Sequence, residues 1–210
     1  MIVAIDGPAG AGKSTVARRL ARRLGFRYLD TGAMYRAVTW LAAERGVSFD
    51  DGPALAALAA ESPVELERGG KVTIAGEDVS DAIRSAEIDR AVPIVARQPE
   101  LRAVMRERQH ELAQAGDAVI EGRDIGTVVV PEAPVKVYLV ADPAVRARRR
   151  LAERPEIGAD ALVTDLQVRD ASDAERTIPA EDAHVIDTTK LRIDDVVARI
   201  EQLVRERQPA

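Results

Sequence analysis

No cysteine occurs among the 210 residues, so neither a disulfide framework nor a catalytic thiolate is available. Asparagine is absent as well. That is a habit of heat-adapted proteins and equally of a GC-rich codon bias, and the sequence leaves both open. Aromatic residues make up only 3%. A core must therefore be built from Ala, Val, Leu and Ile, which the 46% apolar fraction supplies. Lysine is scarce: the 30 basic residues are 26 Arg and 4 Lys. No apolar run approaches the roughly 18 residues that a membrane helix needs. The chain opens directly on an apolar run, which leaves no room for a signal peptide, so a cytoplasmic protein is the expectation. A net charge of −5 does not suggest nucleic acid as a bulk partner. His110 and His184 have no partner at metal-ligand spacing and are read as structural. Trp40 precedes the core position Leu41 and reads as packing.

What is present begins with Gly7-Pro8-Ala9-Gly10-Ala11-Gly12-Lys13-Ser14, followed by Thr15. It fits the phosphate-loop pattern G-x-x-x-x-G-K-[ST] at every fixed position. The flanks fit too. Ile2-Val3-Ala4-Ile5 reads as a buried strand, and Val16, Ala17, Leu20, Ala21 and Leu24 form one face of a following helix. Glycines let successive N–H groups turn inward on an anion, and the helix N-terminus adds its dipole. Lys13 is expected to reach the β- and γ-phosphates, and the Ser14 hydroxyl to ligate Mg²⁺. A chance match in a glycine-rich turn is the alternative.

Phe26 to Asp30 reads as a second strand, and Thr31 to Gly46 as a helix with Met34, Ala37, Val38, Leu41 and Ala42 inward. This is the opening of a parallel α/β sheet. A short Ala-rich helix is expected over Asp50 to Ala60. Val64 to Glu67 and Lys71 to Ile74 then alternate around Arg68-Gly69-Gly70, a hairpin signal. An insertion is expected over residues 63–92, ending helical. Pro99 to Gln114 reads as a long helix. Strands are expected at 118–120, 135–140 and 184–187, helices at 143–151 and 159–170, and a last helix carrying Ile193, Val196, Val197, Ile200, Leu203 and Val204.

Three further stretches make the sequence more specific: Asp30-Thr31-Gly32-Ala33-Met34-Tyr35-Arg36, Glu121-Gly122-Arg123-Asp124-Ile125-Gly126-Thr127, and Arg169-Asp170 with Asp173 and Arg176. With the phosphate loop, in this order, they closely resemble the bacterial cytidylate kinases, over nearly the whole chain. The resemblance implies an α/β P-loop kinase fold, with a five-stranded parallel sheet flanked by helices and a small antiparallel hairpin and helix insertion. It implies one kinase domain over 1–210, with core 1–62 and 93–210, the insertion at 63–92 on the monophosphate side, and a short lid at about 148–160. The implied reaction is transfer of the γ-phosphate of ATP to CMP or dCMP, with Mg²⁺. Gly7 to Thr15 would bind ATP. Arg36, Arg123 and Arg176 match the positions that hold the acceptor's α-phosphate, and planar guanidinium groups suit that task. Thr31, Arg102 and Asp124 match the positions that read cytosine. A carboxylate accepts from the C4 amino group of cytosine and would oppose the carbonyl of uracil. For Asp124 a Mg²⁺ or water ligand is the alternative. Arg169 and Asp173 match residues near the ribose; an ordinary surface ion pair is the alternative reading. Arg149 and Arg150, with Arg148 and Arg154, match the lid segment, where a solvated basic face is the alternative. With Lys13 and Arg123, Arg149 and Arg150 are the expected catalytic cations. Tyr35 keeps its family place, either beside the substrate or in the pocket wall. Pro93 departs from the family, which usually has a serine there that contacts the sugar. Proline offers neither hydroxyl nor N–H, so the preference between CMP and dCMP stays open.

Two other readings remain. Another small-molecule kinase of this fold, for UMP, AMP or shikimate, shares the loop but not the arginine motifs. A nucleotide switch would need no arginine cluster for a second phosphate, and the guanine-reading Asn-Lys-x-Asp stretch cannot exist without Asn. No extra apolar helix face stands out, and a monomer with no nucleic-acid or membrane partner is expected.

Overall fold

The structure, a computed structural model, describes residues 1–67, 69–153, 158–174 and 176–207. It divides into two compact units, one of Met1–Tyr28 with Gly116–Ala210 and one of Leu29–Ala115.

In the first unit the fully buried strand β1 (Ile2–Asp6) leads into α1 (Lys13–Leu24), which Gly25 ends in a left-handed conformation. β2 (Arg27–Asp30) follows, and the chain returns to this unit at Gly116.

The second unit starts its helices with α2 (Thr31–Glu44), where the Asp30 carboxylate accepts from the Ala33 N–H at 2.9 Å. α3 (Gly52–Glu61) is capped in the same way by Asp51, with Pro53 in its first turn. The alternating stretch forms β3 (Glu65–Leu66) and β4 (Val72–Ile74), paired antiparallel. Arg68, in the turn joining them, lies outside the described residues. A third strand, β5 (Glu77–Asp78), was not legible in the pattern. It is two exposed residues long, reached through Ala75-Gly76, both with positive φ, so periodicity had nothing to register. α4 (Ala86–Val95) and α5 (Pro99–Gln114) complete the unit. Its core gathers Met34, Val38 and Leu41 with Leu55, Ile74, Ile83, Leu101 and Met105.

The first unit resumes with β6 (Ala118–Glu121) and β7 (Val135–Val140), then α6 (Pro143–Glu153) and α7 (Ala159–Asp173), β8 (His184–Asp187) and α8 (Ile193–Arg207). The five-stranded parallel sheet has the order β2-β6-β1-β7-β8. β1 lies between β6 and β7, with Ile5 opposite both Glu121 and Val137. Val3, Ile5, Val119, Val135, Val137 and Leu139 pack against the apolar faces of α1 and α8. Because the strands run parallel, Asp6, Glu121, Val140 and Asp187 all end at the same edge, where an open α/β sheet binds ligands.

Pro93 lies inside α4, two residues from its end. It supplies no N–H to the carbonyl of Asp89, and its ring crowds that carbonyl. Pro93→Ala restores the missing bond at a helix-compatible position. It is expected to raise the unfolding free energy by about 1 kcal/mol or more, read from a denaturant titration.

Candidate active site

Residues Gly7 to Gly12 form the turn from the end of β1 to the start of α1. Gly7 has φ 143°, and a Cβ on it would stand 2.2 Å from the Leu139 carbonyl oxygen. Only glycine lets the loop lie this close to β7. Gly10 and Gly12 also have positive φ, 75° and 95°. Pro8, Ala9 and Ala11 lie between them in a shell that leaves Ser14 and Thr15 exposed at the first turn of α1, while Lys13 is buried. Lys13 Nζ donates to the Pro8 carbonyl at 2.9 Å, folding back over the loop.

The second motif leaves the end of β6. Ile125–Val129 forms a single wide turn closed by i→i+5 bonds, a geometry common at functional sites and invisible to a 3.6-residue period. Asp6 fixes its start: its two carboxylate oxygens accept from Ile125 N–H at 2.8 Å and Gly126 N–H at 2.7 Å. The Asp124 carbonyl accepts from Val128 N–H at 2.8 Å. Arg123 is thereby held beside the phosphate loop, with Nη1 donating to the Gly7 carbonyl at 3.4 Å.

One carboxylate then organises the arginines. Asp173, at the end of α7, accepts from Arg123 Nε at 2.9 Å and from Arg176 Nη2 at 2.8 Å. On α6, Arg149 donates to the carbonyls of Gly10 and Ala11 at 3.4 and 3.3 Å, and to Thr188 Oγ1 and carbonyl at 3.0 and 2.7 Å. Asp124, Arg150 and Arg169 are half-buried. Arg154, together with residues 155–157 of the expected lid, lies outside the described residues.

In the second unit, Thr31 is buried at the start of α2, and Tyr35 and Arg36 follow one turn later, half-buried. Arg36 forms an ion pair with the buried carboxylate of Asp89 on α4, and Arg102 is half-buried on α5. The sequence reading missed Asp6, Asp89, Asp170 and Thr188 as members of these networks. Asp6 left a trace, as a charged residue ending an apolar strand.

Burial dominates the electrostatics. It pushes the Lys13 ammonium down to about 7, helped by the charge of Arg123 and opposed by Glu121, Asp6 and Asp173. It pushes the Asp6 carboxyl up to about 6, against the two N–H bonds from Gly126 and Ile125. An anion in the loop faces a lysine whose charge it would restore.

Residues 3–206 match the family model described as cytidylate kinase. The chain belongs to the cytidylate kinase family. It is 46% identical over 215 residues to the cytidylate kinase of Exiguobacterium sp. (strain ATCC BAA-1283 / AT1b), covering 97% of this chain and 96% of that one. It is 47% identical over 216 residues to the cytidylate kinase of Bacillus licheniformis, with 97% and 96% covered. A shikimate kinase from Bacteroides thetaiotaomicron superposes with a TM-score of 0.54 at 18% identity, covering 98% of each chain. That likeness concerns the fold alone, and this chain shares its P-loop kinase architecture. Among the described residues no group of three His, Asp or Glu could hold a metal ion, and no helix is long and apolar enough to cross a membrane.

The raised Asp6 carboxyl makes stability depend on pH. Folded, Asp6 keeps its proton up to about pH 6; unfolded, it releases it near 3.8. Protonation of this group thus favours the folded chain below about pH 4, and that advantage is lost as pH rises through 6. The shift corresponds to about 3 kcal/mol. Denaturant titrations from pH 4 to 7 should show this declining component in the wild type and not in Asp6→Asn.

Proposed function

We propose that this chain transfers the γ-phosphate of ATP to CMP or dCMP, giving ADP and the nucleoside diphosphate. The observation that carries this reading is the second cationic group beside the phosphate loop, Arg123 and Arg176 held on Asp173. A protein that only sensed ATP would need no such group. Family membership names the acceptor class.

In this reading Gly7 to Thr15 hold the triphosphate through N–H groups, Lys13 and the end of α1. The described chain offers no carboxylate cluster for a free divalent ion, while Ser14 presents an exposed hydroxyl at the first turn of α1. That donor set suits Mg²⁺ arriving with ATP, with Ser14 as its protein ligand and the phosphates supplying the rest. Bound there, the ion would neutralise charge on the β- and γ-phosphates. Arg36, Arg123 and Arg176 hold the acceptor's α-phosphate. One of its oxygens attacks the γ-phosphorus, the bond to the bridging β,γ-oxygen breaks, and ADP leaves without any proton having to move. Thr31, Arg102 and Asp124 read the base, Tyr35 borders it, and Arg169 and Asp173 contact the sugar. Arg149 and Arg150 serve the donor side within the lid segment at about 148–160. Residues 63–92 serve as the monophosphate-side insertion of one kinase domain. The reading includes a cytoplasmic monomer, with no nucleic acid or membrane as partner.

The test measures ADP formation from ATP and Mg²⁺ with CMP, dCMP, UMP, AMP and GMP offered separately. CMP or dCMP should lead by about ten-fold or more, since one buried mismatched hydrogen bond costs a few kcal/mol. A lead for UMP or AMP would refute the base assignment, and no stimulation by any monophosphate would refute the kinase. Arg149→Ala should lower kcat in a protein that still folds, as circular dichroism would show; an unchanged kcat removes it from the catalytic group.

A further inference from the structure

Arg146, the first arginine of α6, is a buried residue that the proposed chemistry leaves unused. It is only 8% exposed. Its Nη1 donates to the Ala9 carbonyl at 3.1 Å and to Asp170 Oδ1 at 3.0 Å, and its Nη2 donates to Asp170 Oδ2 at 2.7 Å. Nε has no hydrogen-bond partner among the described residues, so every bond the group makes runs through this fork. The loop lies flush against it: a Cβ on Gly10 would stand 3.0 Å from both Arg146 Cβ and its carbonyl oxygen.

The consequence follows from peptide geometry. No peptide bond among the described residues is cis. In a trans peptide the carbonyl and the N–H of the next residue point in opposite directions. A guanidinium that holds the Ala9 carbonyl on the α6 side turns the Gly10 N–H the other way, toward the interior of the loop where an anion is bound. A charge-assisted bond holds that plane more firmly than a neutral one, and the bidentate pair with Asp170 fixes the guanidinium itself.

We propose that Arg146, braced by Asp170, is a positioning residue for the phosphate loop, which sets the Ala9–Gly10 peptide so that the Gly10 N–H faces the β- and γ-phosphates of the donor nucleotide. Arg146 touches no substrate in this role. The inference rests on the proposed ATP-binding reading of the loop.

The experiment compares wild type with Arg146→Lys, which keeps the charge but loses the fork, and Asp170→Asn, which keeps the shape but loses the bracing charge. ATP and CMP dissociation constants are measured separately by calorimetry, melting temperatures are recorded, and the Gly10 amide is followed by NMR. Both variants should bind ATP about ten-fold more weakly, the order expected for one charge-assisted bond, with CMP alone within about two-fold of wild type. The downfield shift of the Gly10 amide on adding ATP should shrink in both. ATP affinity within about two-fold of wild type in both variants overturns the proposal, as does parallel weakening of ATP and CMP, which marks a merely structural role. Should Arg146→Lys not fold, Asp170→Asn decides alone by the same criteria. A wild type that binds no ATP refutes the reading of the loop itself, an outcome distinct from variants that bind as well as wild type.

Discussion

The loop after β1 lies hard against the carbonyl of Leu139 on β7. At Gly7 there is no space for even one carbon beyond the backbone. That contact fixes where the chain leaves β1, and hence where α1 begins and which way its free N–H groups point. It also brings the loop against α6, where a Cβ on Gly10 would be tightly packed, 3.0 Å from Arg146. An anion site made of N–H groups depends on such rigidity, because a peptide that can rotate offers its carbonyl as readily as its N–H.

Around this frame the chain distributes its charges in linked pairs. Asp6 spans from the end of β1 to the turn that carries Arg123 and Asp124. Asp173 and Asp170, one helical turn apart on α7, take Arg123 and Arg176 in one case and Arg146 in the other. Thr188, after β8, accepts Arg149 and donates to the Ala11 carbonyl at 3.0 Å. The ends of β1, β6, β7 and β8 at this edge therefore contribute either to the loop or to what holds it. The arginines divide accordingly: Arg123 and Arg176 share Asp173, while Arg146 and Arg149 donate to carbonyls of the loop.

Much of this was legible beforehand. The strands at 118–120, 135–140 and 184–187 and the helix Pro99–Gln114 announced themselves through apolar runs, periodicity and punctuation by Pro and Gly. The phosphate loop is a contiguous motif, so its residues and its shape come together. What escaped has a common physical cause. β5 is too short for alternation, and the wide turn at Ile125–Val129 has no period of its own. Asp6, Asp89 and Asp170 find their partners 119, 53 and 24 residues away, at distances that no local pattern encodes. Pro93 read as a departure from the family's sugar contact, whereas its helical position raises a question of backbone bonding as well.

The shared carboxylate of Asp173 bears on how a chain can keep a polyanion receptor when nothing is bound. Lys13, Arg123 and Arg176 converge here, yet Asp6, Glu121 and Asp173 stand among them, and the charges nearly cancel. Three like charges gathered without counterions would push the edge of the sheet apart. With internal counterions the fold does not depend on its substrates for cohesion. In the proposed reading, an arriving phosphate would exchange partners with carboxylates already in place.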